Sequence, residues 1–153
     1  MQKLNFPSFS FRFKNSENKL SIFDEIRKKF IILTPEEWVR QHVVWFLISE
    51  KKYSKNYINI EKSITINKRK KRYDIVVYKP DGSIFLLVEC KAPDVVITQE
   101  TFDQIARYNL VLKADYLMVT NGLEHFFCQM DFIEKNIHFY KNYQILKFNI
   151  IGF

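Results

Sequence analysis

The sequence predicts an α/β domain, a central mixed β-sheet flanked by helices, as a single unit over residues 1–153. Three observations carry this. Two apolar runs, Tyr73 to Tyr78 and Ile84 to Val88, flank Pro80-Asp81-Gly82, the signature of a β-hairpin. Thr34-Pro35-Glu36-Glu37 is a helix start that opens an apolar stripe. A second helical stretch, Gln99 to Lys113, then separates this hairpin from further strands, so helices and strands interleave around one core.

The elements follow in order. Ser8 to Lys14 alternates strictly and predicts a short strand with a phenylalanine face. Asn15 to Asn18 is a polar break, and Ile22 to Ile32, mixed in character, is read as helix or irregular chain. In the first clear helix Thr34 is the N-cap, Pro35 suits the first turn, and Glu37 stands at the capping-box position. Val39, Val43, Phe46 and Leu47 form its buried stripe, and it runs to about Lys51. Tyr57 to Glu61 and Ser63 to Asn67 are extended. Ile84 to Val88 is apolar without alternation, as expected of a central strand covered on both faces. Thr98 is the candidate N-cap of the second helix. Tyr116 to Thr120 is a buried strand, Asn121-Gly122 a turn, and Glu124 to Met130 a returning strand. His138 to Phe148 adds an edge hairpin.

Hydrophobic residues make up 47% of the chain, which places it among globular rather than disordered proteins. The net charge of +7 suits a polyanionic partner as well as plain solubility. Two cysteines, Cys90 and Cys128, make no disulfide framework, and Cys90 lies in an apolar strand as a small buried thiol. With no signal segment and no run of about 18 apolar residues, the expectation is a soluble cytoplasmic protein without a membrane partner. His42, His125 and His138 show no mutual metal spacing.

Chemistry concentrates in Asp74, Glu89 and Lys91, spaced D-x14-E-x-K. With a loop from Pro80 to Ser83, Asp74 falls directly opposite Glu89. Opposed residues have Cβ atoms about 4.5–5.5 Å apart, and like charges there destabilise a sheet. Lys91, two residues beyond Glu89, projects from the same face. A hard divalent cation resolves the repulsion. In that reading Asp74 and Glu89 hold Mg²⁺ near a phosphate, with the Cys90 main-chain carbonyl as another hard ligand. Lys91 orients or deprotonates the attacking water, or neutralises developing charge. The bland alternative is a Glu–Lys salt bridge beside a solvated Asp.

Tyr73-Asp74-Ile75-Val76-Val77 followed by Val88-Glu89-Cys90-Lys91-Ala92-Pro93 resembles the PD-(D/E)XK nuclease superfamily, and more narrowly the N-terminal nuclease domain of type I restriction enzyme R subunits. Thr34 to Gln41 is similar to that family's first helix, Gln104-Ile105-Ala106-Arg107-Tyr108 to its Gln-x-x-x-Tyr motif, and Val119-Thr120-Asn121-Gly122 to the strand end that follows. The resemblance spans residues 22–130 and leaves 1–20 as an N-terminal extension. It implies a restriction-endonuclease-like fold and Mg²⁺-dependent endonuclease action on DNA, with Mn²⁺ as a substitute. It implies a first-helix acid at Glu37, with Glu36 as rival and a capping box as the plain reading of Glu37. It also implies that Gln104 and Tyr108 lie beside the site and contact DNA or orient catalytic groups.

The basic run Lys68-Arg69-Lys70-Lys71-Arg72 ends two residues before Asp74, which places it to contact phosphates of DNA or RNA. The chain carries no Gly-x4-Gly-Lys phosphate loop, so the expectation is a nuclease without the helicase motor, standing alone or working with partners. Those partners are a second copy, since double-strand cleavage needs two sites, or subunits of a restriction or repair complex. The alternatives are a non-cleaving nucleic-acid-binding module on the same fold, or a module that docks a partner through Trp38 and Trp45.

Overall fold

The computed structural model describes residues 1–66, 68–133 and 136–141. A three-stranded antiparallel sheet comes first, in the order β1 (Phe13–Ser16), β2 (Lys19–Asp24), β3 (Lys29–Ile32). A six-stranded sheet then runs in sequence order: β4 (Ile58–Ile66), β5 (Arg69–Tyr78), β6 (Ile84–Cys90), β7 (Tyr116–Thr120), β8 (His125–Asp131), β9 (Asn136–Lys141). Its neighbours are antiparallel except β6 and β7, which are parallel and joined by the crossover helix α2 (Gln99–Leu112). Helix α1 (Pro35–Trp45) continues into a π turn over Phe46–Glu50.

Strand alternation distributes two cores. Ile75, Val77, Leu86, Val88, Cys90 and Met118 pack with Val39, Val43 and Val44 of α1. Tyr73, Val76, Leu87, Leu117 and Val119 pack with Phe102 and Ile105 of α2. The sheet is thus covered on both faces, as its apolar central strands require. Among the described residues no helix is long and apolar enough to cross a membrane.

Several expectations need correction. Ile22 to Ile32 is neither helix nor irregular, but lies in β2, a turn and β3. The turn forms because Asp24 Oδ1 accepts the N–H groups of Ile26 and Arg27 at 2.8 and 2.7 Å. The polar break at Glu17 and Asn18 is itself a hairpin turn, both residues having positive φ of 51° and 60°. Only Phe13 of the Ser8 to Lys14 pattern's phenylalanines lies in a strand. Phe9 and Phe11 instead cover α1, with Phe11 5.0 Å from Trp38 and Phe9 stacked on Trp45 at 6.4 Å. This chain therefore covers part of the tryptophan face itself. Most of the basic run forms the first part of β5. Thr98 occupies the N-cap position of α2, but its side chain makes no capping bond. Of the expected edge hairpin, β9 covers its start, and residues 142–148 lie outside the described residues.

Candidate active site

Strands β5 and β6 pair Ile75 with Val88, Val76 with Leu87 and Val77 with Leu86. That register carries Asp74 to the place across from Glu89, one step past the last paired residues. The loop differs slightly from expectation: Tyr78 pairs with Ile84 across a bulge, and Lys79 N–H bonds Ser83 O at 2.8 Å. Gly82 completes this turn at φ +83°, a conformation that favours glycine.

The sheet is irregular at Asp74. The β4–β5 ladder pairs Ile60 with Ile75 and Lys62 with Tyr73, leaving out Glu61 and Asp74. Glu61 is left-handed at φ 52°, a costly conformation for a side-chain-bearing residue. Tyr73 and Ile75, two apart, fall into opposite cores, so the strand rotates between them. Asp74 is thereby free to reach the α1 side. Its Oδ1 accepts from Arg40 Nη2 at 2.7 Å and its Oδ2 accepts the Cys90 N–H at 2.7 Å. A side chain thus takes over where the ladder stops.

Glu89 alternates to the other side of β6, between Val88 and Cys90 of the α1 core. It borders a small cleft with Lys71, Thr101, Gln104 and Ile105. Lys91 Nζ donates to Glu89 Oε1 at 2.9 Å, so these two share a face as expected. Asp74 reaches across to the Cys90 N–H and to Arg40 of α1, while Glu89 borders the cleft beside α2, so the two do not stand in one row. The reason is the rotation at Asp74, which no spacing rule reveals. Electrostatics still join them. Burial opposes the Lys91 ammonium, but its bond to Glu89 and the Asp74 and Glu36 carboxylates outweigh this and raise its pKa. Burial and then the nearby Asp74 carboxylate raise the Glu36 pKa, Glu89 adding to this while Arg40 and Lys91 oppose it.

The two first-helix acids differ in their surroundings. Thr34 Oγ1 accepts the Glu37 N–H at 3.1 Å, which is half of a capping box. The Glu37 carboxylate does not return to Thr34. It is buried and accepts from Arg27 at 2.6 Å, from Gln41 at 2.9 Å and from Arg40. Glu36, one residue earlier, is the acid that faces Asp74, Glu89 and Lys91. Glu37, expected as a site acid, is here a buried support for Arg40, its oxygens accepting from three donors.

Gln104 is exposed on α2 beside Glu89, and Tyr108, one turn on, carries Lys71 Nζ 5.1 Å above its ring. Lys71 is the member of the basic run that turns toward this cleft, while Lys68, Lys70 and Arg72 are exposed. Of Arg69 only the backbone is described. The Cys90 thiol is buried in the α1 core, so only its main chain can serve the site. Burial, with the Asp74 charge beside it, drives that thiol's pKa well up.

Sequence reasoning missed Arg40 and its supports. Arg27 donates to Asp24 at 2.7 Å, to Glu61 at 2.7 Å and to Glu37, and Gln41 bonds both Asp24 and Glu37. An alternating chain, Asp24–Arg27–Glu37–Arg40–Asp74, so runs from the small sheet through α1 to β5. Part of it was readable: Glu36 and Glu37 stand four and three residues before Arg40, on one helix face.

Comparison with known proteins agrees with this fold. No curated protein matches the sequence. A solved structure, a fragment of a protein described as an HsdR subunit of a type I restriction enzyme from Vibrio vulnificus YJ016, is similar with a TM-score of 0.52 at 20% identity. The match covers 71% of this chain and 23% of that one, so this chain spans about a quarter of the relative's length. The family model described as the type I restriction enzyme R protein N terminus (HSDR_N) matches residues 35–143, which include α1, the β5–β6 hairpin and α2. The chain belongs to the family of type I restriction enzyme R protein N termini.

Proposed function

We propose that this domain hydrolyses phosphodiester bonds in DNA as a Mg²⁺-dependent endonuclease of a restriction system, with Mn²⁺ as a substitute. The observation that carries the reading is the gathering of Glu36, Asp74, Glu89 and Lys91 around one strand end, with Lys71 beside them. The donors suit a hard cation: the Asp74 and Glu89 carboxylates and the Cys90 carbonyl, with the Glu36 carboxylate near them. Burial first, and then the Asp74 carboxylate, raise the Glu36 pKa, and a cation beside these carboxylates would offset the repulsive part. Among the described residues no three His, Cys, Asp or Glu side chains stand close enough to hold a metal unaided. Mg²⁺ commonly takes one or two carboxylates and completes its shell with water and phosphate. Bound there, it supplies Lewis-acid polarisation of a phosphoryl oxygen.

The chain's own residues do the rest. Lys91, kept charged by Glu89, donates to the attacking water or to a phosphate oxygen and offsets the charge that develops. Its raised pKa favours this over abstraction of a proton. Lys71 and the exposed Lys68, Lys70 and Arg72 neutralise backbone phosphates. Gln104 and Tyr108 present a polar and an aromatic group on the same side as Glu89.

A non-cleaving nucleic-acid-binding module is the second reading. It is favoured by the full engagement of both Asp74 oxygens with Arg40 and Cys90. Supercoiled plasmid incubated with Mg²⁺, Mn²⁺ or EDTA separates the two. Metal-dependent nicking that Lys91→Ala and Glu89→Ala abolish supports the enzyme, whereas salt-sensitive binding without nicking supports the module.

A further inference from the structure

Arg40 is the unusual member of this neighbourhood. A single nitrogen, Nη2, donates to Glu36 Oε1 at 2.8 Å and to Asp74 Oδ1 at 2.7 Å. The two acceptors come from different elements, α1 and β5, and lie no further apart than those two bonds end to end. The other arm, Nη1, is clamped by buried Glu37, which Arg27 and Gln41 hold in turn. The guanidinium is buried, and its Nε finds no hydrogen-bond partner among the described residues. An ion pair built for stability alone would satisfy that donor, because an unpaired buried N–H is costly. The arrangement instead spends its geometry on fixing two carboxylate oxygens.

We propose that Arg40 is a positioning residue that sets the direction and spacing of Asp74 and Glu36 for a divalent cation. This rests on the nuclease reading above. Arg40 does not touch the cation or the phosphate. It acts through the two carboxylates, as outer partners of metal ligands do, where substitution typically costs about 10–100-fold in metal affinity. The planar fork matters as well as the charge. A lysine ammonium is a point charge on a flexible stem and cannot address Glu37 on one arm while bridging Asp74 and Glu36 on the other.

The test is calorimetric titration of the full chain with Mn²⁺, alongside plasmid nicking at increasing Mn²⁺, for wild type and Arg40→Lys. Folding of each is checked by circular dichroism. The expected result is a folded R40K protein whose Mn²⁺ dissociation constant rises about tenfold. Its nicking should need about tenfold more Mn²⁺ and recover at saturation. A merely structural Arg40 would lower thermal stability and leave the affinity of the folded protein unchanged, and that result overturns the proposal. Should R40K not fold, Glu37→Gln keeps Arg40 and weakens its clamp. Weaker Mn²⁺ binding is again expected, and an unchanged constant overturns. If wild type takes up no Mn²⁺ at all, the nuclease reading itself fails and the role of Arg40 falls with it. If wild type takes it up and the variants match it, only the role of Arg40 falls.

Discussion

The Asp74 carboxylate bridges the Arg40 guanidinium and the Cys90 main-chain N–H, at 2.7 Å to each. Removing it takes the partner from the Cys90 N–H and one of two acceptors from the Nη2 of the largely buried Arg40. Asp74→Ala should therefore cost about 2–4 kcal/mol in urea unfolding with EDTA present. Asp74→Asn, which keeps an acceptor oxygen, should cost less. An alanine variant within about 0.5 kcal/mol of wild type would contradict the described contacts.

Lys91 should separate stability from activity. Its pair with Glu89 is partly exposed, so Lys91→Ala should cost at most about 1 kcal/mol. Nicking should nevertheless fall by about 10²–10³-fold. The pH dependence has a definite sign. The folded pKa lies above the ordinary 10.5, so the contribution of this pair is full below 10.5 and fades as pH rises through the folded value. Between about pH 7 and about pH 9 Lys91 stays charged, and nicking should show no rise assignable to its deprotonation. Such a rise, absent in Lys91→Arg, would make Lys91 the base instead.

Salt dependence should reveal the role of the basic strand. Removing one cation that neutralises a phosphate should flatten the log–log slope of DNA affinity against salt by about 1. Lys70→Ala and Arg72→Ala, measured by fluorescence anisotropy, test the exposed charges. Lys71→Ala should lower affinity similarly and also take away the ammonium that sits above the Tyr108 ring. Slopes unchanged in all three variants would remove the basic run from the interface.

Gly122 offers a test of the fold. Its φ is +85°, and a Cβ there would come within 2.8 Å of Leu4 Cδ2 and 3.1 Å of Val39 Cγ2. Leu4 can give way in part, but the backbone conformation remains strained for alanine. Gly122→Ala should lose about 1–3 kcal/mol by thermal or urea unfolding. A neutral result would mean that the first residues do not pack on this turn.

Much of the large sheet was legible because its signals are local. Pro80-Asp81-Gly82 marked the β5–β6 turn, and the apolar run of Ile84 to Val88 marked a strand covered twice. Thr34 and Pro35 marked the start of α1 correctly. The small sheet was hidden because β2 and β3 are only six and four residues long. Asp24 hid it further. A buried aspartate breaks the apolar alternation, and its burial makes sense only with Arg27 and Gln41 folded against it. In the site, the shared face of Glu89 and Lys91 was legible from strand periodicity, and their salt bridge is the one the plain structural alternative expected. The rotation at Asp74 was not, because it depends on left-handed Glu61 in the neighbouring strand. Nor were the different surroundings of Glu36 and Glu37, which differ by one position, since they depend on the guanidinium groups that claim Glu37.

The alternating ion chain from Asp24 to Asp74 joins parts that share no hydrogen-bonded strand. It makes the first two hairpins an outrigger of the candidate site rather than an ornament on it. Deleting them would strip Arg27 from Glu37, loosen Glu37 on Arg40, and leave Asp74 mis-aimed with every residue of the central sheet still present.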